Sequence, residues 1–216
     1  MNVLVAVAVF IFASPELFDW TALAVMASGL TFAVASACVF NNVADRELDA
    51  HMERTKKRGL VTGEVTPLHA LIYAGALIIC GVLLLKLVHP LALAAALLGF
   101  VTYVFIYTPL KPKTGYALYV GAIAGATPTL VGYAAAAQRL DGVAYALFVI
   151  LFLWQLPHFL AIARYRFDEY MAGGVPLLVK RPQNDKEKQK ARKIFYWSLV
   201  FLLLFCLTLI VQRWIT

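Results

Sequence analysis

Charge is what this sequence has least of. Asp, Glu, Lys and Arg make up 14% of its 216 residues, against about a quarter in a soluble domain. Its residues are 62% hydrophobic and its mean hydropathy is +0.78, which together exclude a soluble globular domain. Cysteine is scarce too. Cys38, Cys80 and Cys206 fall in three different apolar stretches. No CxxC or metal-ligand spacing exists, so a disulfide framework and a zinc site are excluded and the three are expected to be small packing residues. Short-period repeats and low-complexity tracts are also missing. The longest polar run, KRPQNDKEKQKARK at 180–193, is expected to be a solvated loop meeting anionic headgroups.

What is present is apolar sequence in blocks, over residues 2–12, 18–40, 68–88, 91–107, 116–137, 143–163 and 194–211. All but the first approach the ~20 residues needed to cross ~30 Å of hydrocarbon. The expectation is an all-α polytopic membrane protein: six full spanning helices plus a short N-terminal one, in a single membrane-embedded domain over 1–216. The leader has no basic n-region, unlike a cleaved signal peptide, and reads as the remainder of a helix whose beginning is missing. Of the 19 Lys and Arg, 16 fall at 41–66, 109–115 and 164–193. The positive-inside rule puts those loops in the cytoplasm, so the net charge of +7 reports topology and not nucleic-acid binding.

The stretch NNVADRELDAHMERTKKR at 41–58 ends an uncharged run with acids and bases together. Asn41, Asp45 and Asp49 recur every fourth residue, so a continuing helix places them on one face. Carboxylates this close repel each other, which makes sense around a divalent cation, and all-oxygen ligation favours Mg²⁺ or Ca²⁺ over zinc. Mg²⁺ fills its remaining positions with water and substrate phosphate, which points to a diphosphate. The plainer alternative is ion pairing with Arg46, Arg54 and Lys56. Acids where a spanning helix meets the interface are costly unless they face an interior cavity, and the ERTKKR that follows supplies cations for phosphate oxygens. A second cluster, RYRFDEY at 164–170, follows the sixth apolar stretch as the first follows the second. Its Asp168 and Glu169 are candidates to complete a facing metal site, or form a local ion-paired helix end.

These residues resemble the UbiA-type intramembrane prenyltransferases. The N-x3-D-x3-D of Asn41, Asp45 and Asp49 is similar to that family's first aspartate-rich motif. MERTKKRGLVTGEVTP at 52–67, the Tyr107-Thr108 and LKPKT loop, GAIAGATPTLVGY at 121–133 and WQLPHFLAIARYRFDEYMAGGVPLL at 154–178 resemble its heme-farnesylating branch, in the same order. Glu169 stands where an Asp is common, Pro112 where an Arg is common and Gly59 where a Pro is frequent. The resemblance implies a UbiA-like helical bundle of nine spanning helices, of which this chain offers six and a fraction, shortened at both ends.

The resemblance further implies transfer of a farnesyl group from farnesyl diphosphate to a vinyl group of heme B, with water added, giving heme O for terminal oxidases. Heme B is then a substrate and Mg²⁺ the cofactor. Asn41, Asp45, Asp49, Asp168 and Glu169 would be catalytic metal ligands. Arg54, Arg58, Lys111 and Arg166 would hold phosphate oxygens, with Tyr107 at the diphosphate or the prenyl chain. His158, after the helix-kinking Pro157, would ligate iron or anchor a propionate; its bland alternative is a histidine satisfied by a freed carbonyl. Heme A synthase or an oxidase-assembly factor is the implied protein partner, and the inner membrane the implied location. Two other implied possibilities are an aromatic or quinone-precursor acceptor and an inactive heme-binding relative. A cation transporter would need ionisable residues at the midplane, whereas here they gather at helix ends.

Overall fold

The computed structural model describes residues 1–215, all helices and connections. A short α1 (Asn2–Ala13) leads into α2 (Trp20–Ala44), α3 (Arg46–Ala50), α4 (Gly59–Thr62), α5 (Pro67–Val88) and α6 (Pro90–Val101). A π-helical turn at Thr102–Tyr107 joins α6 to α7 (Thr108–Leu110). Then come α8 (Ala117–Ala137), α9 (Gly142–Tyr165), α10 (Phe167–Ala172) and α11 (Asp185–Gln212). Six helical stretches are long and apolar enough to cross a membrane: 20–44, 67–88, 90–110, 117–137, 142–165 and 185–212. The chain is a multi-pass membrane protein, as its composition requires.

Helix starts follow local chemistry. Asp19 accepts from Ala22 N at 2.8 Å and Asn184 from Glu187 N at 3.0 Å, while Pro67 and Pro90 begin their helices without a wasted donor. Asp141 caps α9 and also receives Tyr133 Oη and Arg139 Nε, each at 2.9 Å. Its carboxyl is pulled down to about 2, first by the Arg139 hydrogen bond and then by that from Tyr133.

Helix α8 is the centre of the bundle: 72% of its apolar window is buried, against 17% for α11. It packs on α1, α6 and α9, while α11 packs on α9 and α1, and α2 pairs with α5. Two contacts are so close that only glycine fits. A Cβ on Gly132 would lie 2.2 Å from the Ala6 carbonyl oxygen, and one on Gly81 would lie 2.9 Å from the carbonyl of Gly29. The expected close packing of the 121–132 small-residue helix is thus present, against α1.

Two readings change. The run at 180–193 is not all loop, because α11 begins at Asp185, two turns before the apolar stretch; Asn184 caps it, and Asp185 and Glu187 favour its N-terminal dipole. Of the cysteines only Cys206 is buried; Cys38 and Cys80 are exposed. In a spanning helix apolar periodicity does not separate lipid-facing from protein-facing positions, since both are apolar.

Candidate functional site

The i, i+4 ladder from α2 survives the break at Asp45. Asp45 N donates to the Asn41 carbonyl at 2.8 Å and Asp49 N to that of Asp45 at 2.7 Å. The three polar side chains therefore share one face, and all are buried: Asn41, Asp45 and Asp49 are 9%, 6% and 4% exposed. Asn41 Nδ2 donates to Asp45 Oδ2 at 2.6 Å.

Each acid meets one cation. Lys111 Nζ pairs with Asp45 from the loop after α7, and Arg58 Nη1 lies 2.5 Å from Asp49 Oδ2 and 2.8 Å from Asn42 Oδ1. Carboxylates buried in a bundle carry a large desolvation cost unless paired, and the two cations offset it. Thr108 Oγ1 reaches both Asn41 Oδ1, at 3.1 Å, and the Tyr103 carbonyl, at 2.9 Å. That single hydroxyl ties the acidic face to the π-helical turn.

The turn matters because it puts Tyr103 and Tyr107 side by side, rings stacked at 5.2 Å. Each ring belongs to a different cavity. One cavity, about 300 Å³, is lined by Tyr103, Cys38, Gly121, Gly125, Gln155 and His158, among mostly apolar neighbours from α1, α2, α6, α8 and α9. The other, about 190 Å³, runs from Lys111 past Tyr107 and Tyr170 to the 175–178 loop. Gly121 lacks the Cβ that would stand 3.0 Å from the Tyr107 ring. Two cavities with largely apolar walls thus adjoin the tyrosine pair, one beside each ring.

The second acidic cluster is arranged differently. Asp168 pairs with Arg181 at 2.9 Å, and Glu169 with Arg166 at 3.0 Å, in exposed or half-buried positions. Among the described residues no group of three or more His, Cys, Asp and Glu is gathered as metal donors, so Asp168 and Glu169 are not brought onto the Asp45 and Asp49 face. The neighbouring Tyr170 does reach the site, lining the cavity with Lys111. Burial pushes its phenol up, against the positive charges of Arg54 and Arg166. Arg54 is itself exposed.

His158 is buried and lines the larger cavity. Its ring stacks on Trp154 at 5.0 Å, and Nδ1 lies 2.7 Å from Ser198 Oγ on α11. Its partner is a side chain 40 residues away, not a carbonyl freed by Pro157. Sequence reasoning gave no role to Tyr103, Thr108, Gln155 or Ser198. Thr108 and Gln155 stood inside quoted motifs without a role of their own, and Tyr103 and Ser198 are single hydroxyls inside apolar runs.

The donor set of Asn41, Asp45 and Asp49 is all hard oxygen and suits Mg²⁺ or Ca²⁺. With cations adjoining it, this end of the bundle can hold an anionic leaving group beside apolar cavities.

Comparison with known proteins accords with this geometry. Solved structures with the same fold include a UbiA homolog from Archaeoglobus fulgidus bound to DMAPP and Mg2+, with TM-score 0.73 and 17% identity, covering 99% of this chain and 80% of that one. A UbiA homolog from Aeropyrum pernix K1 gives TM-score 0.70 at 18% identity, covering 93% and 76%. Similar curated sequences include the protoheme IX farnesyltransferase of Yersinia enterocolitica, 42% identical over 179 residues, covering 82% of this chain and 60% of that protein. Protoheme IX farnesyltransferase 2 of Pseudomonas fluorescens is 43% identical over 183 residues, covering 83% and 62%. The chain thus spans about 60% of the length of the curated relatives it matches. The profile of the UbiA prenyltransferase family matches residues 2–216, a span that takes in the acidic face, both cavities and every spanning helix, and this chain is a member of that family.

Proposed function

We propose that the chain transfers a farnesyl group from farnesyl diphosphate to a vinyl group of heme B, with addition of water, giving heme O. The observation that carries it is the buried Asn41, Asp45 and Asp49 face, cation-paired to Lys111 and Arg58, beside a cavity lined by an imidazole. The names borne by the 42–43% identical relatives support the choice of acceptor.

The allylic C–O bond breaks and diphosphate departs with the electron pair. The vinyl π electrons form the new C–C bond, water adds at the carbon left cationic, and a proton is released. Mg²⁺, held by Asn41, Asp45 and Asp49, would neutralise charge growing on the diphosphate. Asp168 and Glu169 would supply further hard oxygen at this end. Lys111 and Arg58 hold phosphate oxygens, as do Arg54 and Arg166 from the rim. The tyrosine pair and the apolar walls keep bulk water from the allylic cation until it meets the vinyl carbon. Heme faces His158 in the larger cavity, and the farnesyl chain follows Tyr107 into the smaller one. A heme A synthase or an oxidase-assembly factor would take the product.

The test is a product assay in reconstituted membranes, with farnesyl diphosphate and either heme B or 4-hydroxybenzoate. Heme O in the first and nothing in the second is expected. A prenylated hydroxybenzoate would establish instead the second reading, an aromatic acceptor, which the shared first motif also accommodates.

Location follows from charge. Asp45, Asp49, Lys111 and Arg58 lie at one end, whereas Arg213 Nη2 donates to the Pro15 carbonyl at 2.7 Å at the other. The end with 16 of the 19 bases is cytoplasmic by the positive-inside rule, and the inner membrane is the location that the family resemblance implies. Accordingly Glu16→Cys is labelled by an impermeant maleimide added outside intact cells and Gln183→Cys only after permeabilisation. The reverse pattern would overturn this orientation.

A further inference from the structure

The hydrogen bonds around His158 determine which of its ring nitrogens carries the proton. Ser198 Oγ has one hydrogen, and it lies 2.6 Å from the Phe195 carbonyl oxygen, one turn back in α11. A carbonyl only accepts, so this contact is a hydrogen bond only when the hydroxyl donates its single hydrogen there. The 2.7 Å contact between Ser198 Oγ and His158 Nδ1 is then a bond in which the imidazole donates. The neutral ring carries its proton on Nδ1 and its lone pair on Nε2.

The ring has little freedom to do otherwise. Trp154 stacks on it at 5.0 Å with 22° between planes, and Phe195 lies 5.1 Å away. Trp154 Nε1 also donates to the Ser198 backbone carbonyl at 2.9 Å, so the serine is anchored to the same face of α9 from both its backbone and its side chain.

Nε2 has no hydrogen-bond partner, yet it is not among the enclosed unpartnered polar atoms, so it keeps open surface. His158 as a whole is only 7% exposed, and the one cavity among those described that it lines is the larger apolar one. The opposite tautomer would aim an N–H into that cavity with no acceptor, and would break the Ser198 to Phe195 bond as well.

We propose that Ser198 is a positioning residue: it holds His158 as the Nδ1–H tautomer and thereby presents the Nε2 lone pair to the larger cavity as a ligand for a metal centre carried by a flat macrocyclic acceptor. A second group fixing the ring of a metal-binding histidine is a general device for setting its tautomer and basicity. The nature of the ligand rests on the heme reading given above; the tautomer does not.

The experiment uses the whole chain in nanodiscs with ¹⁵N-labelled histidine. His158→Gln identifies the resonance, and hemin and iron-free protoporphyrin IX are the two titrants. Expected for the wild type is a protonated Nδ1 and a lone-pair Nε2. Ser198→Ala loses that pattern, moves the hemin absorption band and weakens hemin about five-fold, as the loss of one hydrogen bond implies. Its protoporphyrin IX affinity is unchanged, and Ser198→Thr restores the wild-type spectrum. A proton on Nε2 in the wild type, or an unaltered tautomer in Ser198→Ala, would overturn the proposal. Equal weakening of both porphyrins would overturn the metal-ligand role. The expected tautomer with no hemin binding to the wild type would uphold the positioning by Ser198 and remove the heme reading instead.

Discussion

Asp45→Asn is expected to reduce heme O formation by about a thousand-fold, the range seen when one preorganised electrostatic group is taken from a transition state. The substitution keeps the shape and removes the charge. It acts twice, because Asp45 is both a hard oxygen of the donor face and the counter-charge of Lys111. The two side chains are 8% and 15% exposed. Removing one partner of a pair this enclosed leaves the other charge uncompensated, at a cost of about 3–5 kcal/mol. The variant is therefore also expected to melt earlier in detergent. The double variant Asp45→Asn with Lys111→Met separates the effects, since it removes the orphaned charge: thermal stability returns toward that of the wild type while turnover stays absent. Near-normal turnover in Asp45→Asn would sink the assignment of the acidic face. Recovery of turnover in the double variant would show that neither Asp45 nor Lys111 takes part in the reaction and that the pair serves stability alone.

Gly132→Ala is expected to disturb the packing of α1 on α8. The added Cβ would stand 2.2 Å from the Ala6 carbonyl oxygen and 2.9 Å from its carbon. Both are backbone atoms, so no rotamer change relieves the clash and α1 has to move off α8. Overpacking of this kind costs about 1–3 kcal/mol or more. Asn2 and Val5 of α1 line the larger cavity, so the same displacement is expected to weaken hemin binding. Gly75→Ala is the control: nothing lies within 4 Å of its added Cβ, and helix propensity alone predicts about 1 kcal/mol of gain. Thermal melts of the two variants in one detergent make the comparison. Equal melting temperatures would mean that α1 does not depend on the Gly132 contact.

The acidic face was legible because its information is local. Asn41, Asp45 and Asp49 lie four residues apart, and a helix turns four residues into one rung wherever it sits. The spans were legible for a similar reason: length and apolarity alone meet the thickness of the hydrocarbon layer. The pairing of Glu169 with Arg166 is also local, at i, i+3, and the open alternative of an ion-paired helix end describes it.

The partners of those residues are not local. Lys111 finds Asp45 across 66 residues and Thr108 reaches Asn41 across 67. Such contacts depend on which helix faces pack together, and a membrane weakens that signal in sequence because lipid-facing and protein-facing positions are alike apolar. The π-helical turn that pairs Tyr103 with Tyr107 lies between Gly99 and Pro109, and neither residue by itself distinguishes a widened turn from an ordinary helix end.

By itself the sequence determined the spanning helices, the uneven distribution of charge between their two ends, and the oxygen-rich rung at the end of α2, since each depends only on spacing along one chain segment. The tertiary structure alone decided which cation meets which acid, where the two cavities lie beside the tyrosine pair, and that Ser198, 40 residues on from His158, comes within 2.7 Å of its Nδ1. Those outcomes require helices distant in sequence to approach within hydrogen-bond reach, and glycines such as Gly132 and Gly81 permit two of the close approaches that hold the bundle together.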